Sequence, residues 1–300
     1  MLYRRLGKTE LNVSVVGVGT WQLGGEWGKI YEQSEVNNMV ARAKELGINL
    51  IDTAECYGDH TSEELVGNAI QGQREDWIIA TKFGHKFHSN FERTNHFDPA
   101  GVLLQLEESL RALKCNYIDL YQFHSGSDQE FDNPELWEML TRQVEAGKIR
   151  SFGLSITNAN PPLQIQKMSA YGISTLQVIY NRLSREPEQD IFPTCQKEDI
   201  GVLARVPLAS GFLSGKYNPD TIFTDPNEVR SLRDPESTRQ QLLEVEKIKA
   251  SEVPDGVPMA QWALAWCLRH PAVTSVIPGC KTVEQVESNA RAVDLLAGGS

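Results

Sequence analysis

Short apolar runs alternate with stretches of helical periodicity from one end of the chain to the other. The runs Val15–Gly19, Asn49–Asp52, Trp77–Lys82, Ile118–His124, Ser151–Ser155, Thr175–Tyr180, Gly201–Arg205 and Thr274–Ile277 have the length and residue content of buried strands. Between the first two, Val36, Met39, Val40 and Ala43 fall on one face of a helix that Ser34 opens and Gly47 ends. Asp98-Pro99 opens another, with Val102, Leu103, Leu106, Leu110 and Leu113 as its stripe, and Asn133-Pro134 a third that closes at Gly147. Alternating strands and helices predict a parallel sheet of the α/β class. Eight such units fit a (β/α)8 TIM barrel, which needs about 250 residues, so residues 1–300 are read as one domain. A doubly wound sheet fits less well. Its dinucleotide fingerprint would fall on Gly17-Val18-Gly19-Thr20-Trp21-Gln22, which lacks the third glycine and puts a Trp where phosphate would approach. Leu2–Leu6 and Leu11–Val15, around Gly7-Lys8-Thr9-Glu10, predict a short N-terminal β-hairpin ahead of the barrel. The segment Lys216 to Pro235, rich in Asp, Pro, Thr and Asn, reads as a loop within the same domain.

Composition narrows the class. With 40% hydrophobic and 23% charged residues, the chain has the makings of a large packed core and is not a disordered segment. The balance of 29 Lys+Arg against 40 Asp+Glu gives a formal charge of -11, which repels nucleic-acid backbones and anionic membranes, so neither is expected as a partner. No apolar run approaches the roughly 18 residues of a membrane span, and Met1 to Glu10 is charged rather than signal-like, which predicts a cytoplasmic protein. Five cysteines without a CxxC pair fit a reducing compartment, with no disulfide framework and no zinc site. Walker loops, zinc-protease helices and nucleophile elbows are absent from the sequence.

The chemistry is sought at the C-terminal strand ends, which form the mouth of a parallel barrel. Asp52, Lys82, His124, Ser155 and Arg205 each close an apolar run, and Tyr57 follows Asp52 by five residues. Taken singly, each has an ordinary structural reading: Asp52 capping a loop, Lys82 a solvated strand end, His124 a satisfied core histidine. Their convergence on one mouth favours a catalytic reading.

Three of these segments, Asp52-Thr53-Ala54-Glu55-Cys56-Tyr57-Gly58, Ala80-Thr81-Lys82 and Tyr121-Gln122-Phe123-His124, occur in the order of the catalytic tetrad of the aldo-keto reductases. The chain resembles that family from Leu6-Gly7 and Gly19-Thr20-Trp21 to Val276-Ile277-Pro278-Gly279 and Asn289. The resemblance implies an oxidoreductase that moves a hydride between a nicotinamide cofactor and aldehydes, ketones or sugar-derived carbonyls, or runs the reverse reaction. Its catalytic residues would be Asp52, Tyr57, Lys82 and His124. The developing alkoxide needs a proton donor, and a free tyrosine of pKa about 10 holds its proton too tightly near neutrality. Lys82 beside the phenol is expected to lower that pKa, with Asp52 keeping the lysine charged. At roughly 1.4 kcal/mol per unit, a shift most of the way to 7 takes ~3–4 kcal/mol. His124 would orient the substrate carbonyl.

For the cofactor, the resemblance implies that Ser155 and Gln177 hold the nicotinamide carboxamide, near Thr20 and Trp21. Ile156 stands where the family often has Asn, which leaves Asn158 as a substitute to test. Arg205 takes the place of a stacking aromatic; its guanidinium suits the reduced ring better than the oxidised one. Pro207, Leu208, Ser210, Gly211, Leu213, Gly215 and Lys216 match the pyrophosphate loop, whose small residues let backbone amides approach phosphate. At the adenosine end, Gly279, Lys281, Gln285 and Asn289 align with the last motif. Gln285 stands where an Arg is common, so NADP(H) is favoured through Lys281, with NAD(H) as the alternative.

Trp27, Phe87, His88 and Phe91 fall in loops after the first and third strands, where they would line the substrate pocket or simply pack the loops. His85, His88 and His96 cluster in sequence but lack a Cys or carboxylate at ligand spacing, so they read as a polar lid and no metal is expected. Cys56, beside Tyr57, reads as a small buried filler. The rival function is a regulatory subunit like the potassium-channel β subunits, which also resemble aldo-keto reductases. A phosphate-binding isomerase or lyase barrel would leave the Asp, Tyr, Lys and His order unexplained.

Overall fold

The computed structural model describes residues 1–157 and 161–296. Eight parallel strands form one sheet: β1 (Val18–Gly19), β2 (Leu50–Asp52), β3 (Ile78–Phe83), β4 (Ile118–His124), β5 (Ile149–Ser155), β6 (Ile173–Ile179), β7 (Gly201–Arg205) and β8 (Val273–Val276). They pair in sequence order, each with the next. Parallel bridges Val16 to Val276 and Gly19 to Gly279 bring the first strand against the last, so the sheet closes into the expected barrel. Strand positions match the hydrophobic runs to within two residues, except that regular pairing in the first run starts only at Val18.

Alternation along the strands sorts the side chains. Ile51, Ile79, Phe83, Tyr121, Phe123, Leu154, Leu176 and Val202 point outward into the main core beneath the helices. Leu50, Ala80, Leu120 and Leu203 point inward and meet Leu6, Val13 and Ile277 in a separate cluster. Leu6 and Val13 come from the N-terminal hairpin, Tyr3–Arg5 paired with Asn12–Ser14, which therefore plugs the closed end of the barrel.

Helix boundaries mostly follow the local signals. Asp98 caps Pro99–Ala112 by accepting from the Gly101 amide at 2.8 Å, and Gly147 follows Pro134–Glu145 in the left-handed conformation that only glycine adopts without strain. Ser34 is not the first cap. Glu32 is, through a capping box in which its side chain accepts from the Glu35 amide and Glu35 returns the bond, so Ser34 lies inside Gln33–Glu45. The loop after β3 also holds an unforeseen antiparallel hairpin, His85–Ser89 with Glu92–Asn95. No helix among the described residues is long and apolar enough to cross a membrane.

Candidate active site

One step beyond the inward apolar layer, the same faces turn polar. Asp52, Lys82, Gln122 and Arg205 lie two residues past Leu50, Ala80, Leu120 and Leu203, so the pleat itself aims them into the open end of the barrel. His124 and Ser155 end neighbouring strands, and Gln177, two residues before the end of β6, lies at the same level, with His124 paired to Ser155 and Gln177 to Ser155 in register. Tyr57 arrives on the loop after β2. The turn Trp21–Gly24 packs backbone to backbone beneath it: a Cβ on Gly24 would come within 2.6 Å of the Tyr57 carbonyl carbon, and Gly58 is equally tight against Gly24.

Lys82 is fully buried and spends all three ammonium protons. It donates to Asp52 Oδ2 at 2.8 Å, to the Thr53 carbonyl at 2.6 Å and to the Tyr57 hydroxyl at 3.2 Å. Because the Tyr57 oxygen accepts from lysine, its own proton is free to point elsewhere. Asp52 is held in turn by Gln177 Nε2 at 2.7 Å and Gln122 Nε2 at 3.2 Å, both on Oδ1. The His124 ring lies 6.3 Å from the Tyr57 ring, edge to face, with Nδ1 3.8 Å from Cys56 Sγ.

Burial sets the protonation states. It would depress the Lys82 ammonium, but Asp52 and Tyr57 beside it carry its pKa above the ordinary value. Burial, with His85 and Lys82 nearby, drives His124 well below the usual histidine range, so the ring is neutral and donates from one nitrogen only. The expectation for Tyr57 is reversed. Burial outweighs the lysine and pushes the phenol up to about 12, because the charge of Lys82 is already shared with Asp52. The phenol is therefore a loaded proton donor rather than a partly ionised one.

A cleft of about 400 Å³ runs outward from this constellation. Its walls include Thr20, Trp21, Asp52, Tyr57, Gln177, Arg205, Pro207, Leu208, Ser210, Gly211, Lys216, Gly279, Lys281, Gln285 and Asn289. Ser155, Leu213 and Gly215 stand off its surface; Ser155 is buried and donates to Gln177 Oε1 at 3.4 Å, and Leu213 lies fully buried beneath the loop. Val206, Ala209, Ser210, Gly211 and Gly215 all have positive φ, so the small-residue loop coils tightly along one wall. Arg205 donates to the Ile156 carbonyl at 3.0 Å and forms no ion pair among the described residues. Asn158 lies outside the described residues.

Three further side chains belong to the site beyond those singled out from the sequence. Gln122 braces Asp52, and its inward parity is the signal that would have found it. Arg230 and Tyr217 come from the irregular segment after Gly215, where no periodicity exists to read. Trp27 lines this cleft, with Lys281 Nζ 5.6 Å and the Arg230 guanidinium 5.4 Å from its ring, and Lys281 donates to its carbonyl at 3.1 Å. Its loop is tied to the opposite wall by Val229 N–H to the Glu26 carbonyl and Gly28 N–H to the Asn227 carbonyl. Phe87, His88 and Phe91 sit on the hairpin after β3 and do not line the cleft; His88 instead meets Thr94 at 3.0 Å. His85, His88 and His96 are not brought together as ligands, since His96 pairs with Asp98 at 2.8 Å. Glu55, Cys56 and His124 do approach one another, but Arg93 donates to Cys56 Sγ at 3.2 Å, and a guanidinium there opposes a metal cation.

A family model described as the aldo/keto reductase family matches residues 15–297. The uncharacterised oxidoreductase YqkF of Bacillus subtilis is 32% identical over 98% of this chain and 92% of its own. A putative voltage-gated potassium channel subunit beta of Schizosaccharomyces pombe is 30% identical over 98% of this chain and 88% of its own. Among solved structures, the glycerol dehydrogenase AKR11B4 of Gluconobacter oxydans superposes with a TM-score of 0.81 at 30% identity, covering 99% of this chain and 90% of that one.

Proposed function

Since the chain belongs to the aldo/keto reductase family of oxidoreductases, we propose that it interconverts small-molecule carbonyls and alcohols with NADP(H), using Tyr57 as proton donor. The observation that carries this reading is the triple engagement of Lys82 with Asp52, Thr53 and Tyr57 at the inner end of a cation-lined cleft.

The cleft fits a dinucleotide. Its wall carries two buried polar atoms without partners among the described residues, Gln22 Oε1 and Arg205 Nε, which a polar ligand would satisfy. Lys216, Arg230 and Lys281 supply local positive charge in a protein of net charge -11. Arg230 is paired with Glu228, whereas Lys281 spends one proton on the Trp27 carbonyl and keeps the rest for an anion. This supports Lys281 as the reader of a 2′-phosphate. Arg205, flat and half-buried beside Gln177, is the group to cover the nicotinamide.

When bound, the reduced nicotinamide supplies the hydride. The residues of this chain handle the proton and the geometry. Tyr57 keeps its proton at neutral pH and, with its oxygen already accepting from Lys82, directs that proton toward a substrate oxygen. As the phenol gives it up, the Lys82 ammonium stabilises the phenolate in a site from which water is largely excluded. Asp52 keeps Lys82 charged, and Gln122 and Gln177 keep Asp52 in place. Neutral His124 donates a hydrogen bond that orients the carbonyl. The channel-subunit reading shares this tetrad, so turnover separates the two. A screen of aldehydes and sugars, followed by absorbance of the reduced nicotinamide with both cofactors, should show NADP(H)-linked turnover; cofactor binding without turnover of any carbonyl would favour the regulatory role.

A further inference from the structure

A second cavity, of about 610 Å³, opens on the other side of Arg205. It shares Trp21, Arg205, Val206, Ser210 and Arg230 with the first cleft, so the two chambers adjoin along a common wall at the barrel mouth. Trp21 in turn lies against Tyr57, ring centroids 6.3 Å apart, so the shared wall borders the proton donor.

The charges in this chamber are unbalanced where they are buried. Arg233 lines it without lining the first cleft, lies half-buried with its guanidinium 5.0 Å from the Phe212 ring, and its side chain has one hydrogen-bond partner among the described residues, Gln241, at 3.3 Å. Among the described residues neither Arg233 nor Arg205 forms an ion pair, whereas Arg230 is paired with Glu228. The carboxylates on the chamber wall, Glu186 and Asp190, are exposed at its rim, where solvent screens them. Burial and the neighbouring Arg230 both push the Arg233 pKa down, as expected of a cation lacking a counter-charge. A half-buried guanidinium without a counter-charge keeps donors free to pair with an anion that enters the chamber.

We propose that Arg233 forms an anion subsite for the substrate, so that the carbonyl compound presented to Tyr57 carries a carboxylate or a phosphate ester at its far end. This rests on the reductase reading and narrows its substrate class. Planar guanidinium groups pair with either anion in bidentate fashion.

The test compares ω-oxo carboxylates of increasing length with their neutral methyl esters. In the wild type, kcat/KM for the best acid should exceed that of its ester by at least about tenfold. Arg233→Met should erase that preference through KM and leave the ester unchanged, and Arg233→Lys should retain part of it. A second measurement needs no turnover: calorimetric titration of the NADP(H)-saturated protein with malonate and with inorganic phosphate. One of these anions should bind the wild type and be weakened at least about tenfold by Arg233→Met; the tighter of the two identifies the carboxylate or the phosphate as the natural group. Equal kcat/KM for acid and ester, or anion binding indifferent to Arg233→Met, would overturn the subsite while leaving the reductase reading intact. Anion binding that depends on Arg233 without turnover of any carbonyl would leave the subsite standing and overturn the reductase reading.

Discussion

Replacing Asp52 with Asn probes the keystone of the constellation. The side chain is isosteric, so no cavity forms, but hydrogen bonding cannot be conserved. Asp52 accepts from three donors, Lys82 Nζ on one oxygen and Gln122 and Gln177 on the other. Asn offers one acceptor and one NH2 group, so either the ammonium or the two amides must face a donor. Lys82 is wholly buried, and Asp52 nearly so, with side-chain exposures of 0% and 5%. Removing one partner of such a pair costs about 3–5 kcal/mol, because the other charge is left in a medium that cannot solvate it. At about 2.1 cal/mol/K per residue, unfolding this chain of 300 residues carries an entropy near 0.6 kcal/mol/K. The expected fall in Tm is therefore about 5–8 °C by scanning calorimetry near neutral pH. The sign with pH follows: without Asp52, burial depresses the Lys82 pKa below its unfolded value, the native state binds fewer protons, and the deficit should shrink as pH rises toward about 9. Turnover should fall together with stability. A variant whose Tm stays within about 1 °C of wild type would refute the view that this ion pair organises the site.

Other outcomes follow from neighbouring residues. Lys281→Met should weaken NADP(H) about tenfold or more and leave NAD(H) nearly unchanged in a fluorescence titration, and equal losses would show that Lys281 does not read the phosphate. Arg205→Ala should weaken the reduced cofactor about five- to thirtyfold and the oxidised form less, since a guanidinium repels the cationic ring; equal changes would reject the stacking role. Glu55 is pushed up to about 7 by burial and by Glu63. A carboxyl raised in the native state favours folding in its neutral form, so stability should decline as pH climbs from about 4.5 through 7, by up to about 3 kcal/mol. Glu55→Gln should flatten that decline in urea melts of the cofactor-free protein, and an unchanged slope would remove Glu55 as its source.

The barrel and the tetrad were legible because both rest on local rules. A polar residue ending an apolar run must lie at the strand's C-terminal end, and in a parallel barrel all such ends share one mouth. Gln122 was within the same reach, two residues before His124 and of the same parity. What escaped depends on tertiary context. Glu32 displaced Ser34 as cap because a reciprocal bond with Glu35 outweighs the nominal preference for serine. The hairpin over His85–Asn95 has mostly exposed strands and no apolar alternation to announce it. Arg230 reaches the cleft from an irregular segment, and its place is fixed by ties to the loop of Trp27 rather than by sequence spacing. The Tyr57 pKa escapes the sequence for a related reason: spacing supplies the lysine, but only packing reveals how much burial opposes it.

The central claim is that Tyr57 delivers the proton. Tyr57→Phe removes one oxygen from a site whose other members remain bonded to one another, so cofactor affinity should be nearly unchanged. With the NADP(H)-loaded protein and its best carbonyl substrate, steady-state kcat for Tyr57→Phe should drop by at least ~10²-fold, with the NADP(H) Kd within about twofold of wild type. Near wild-type kcat in this variant would contradict the account.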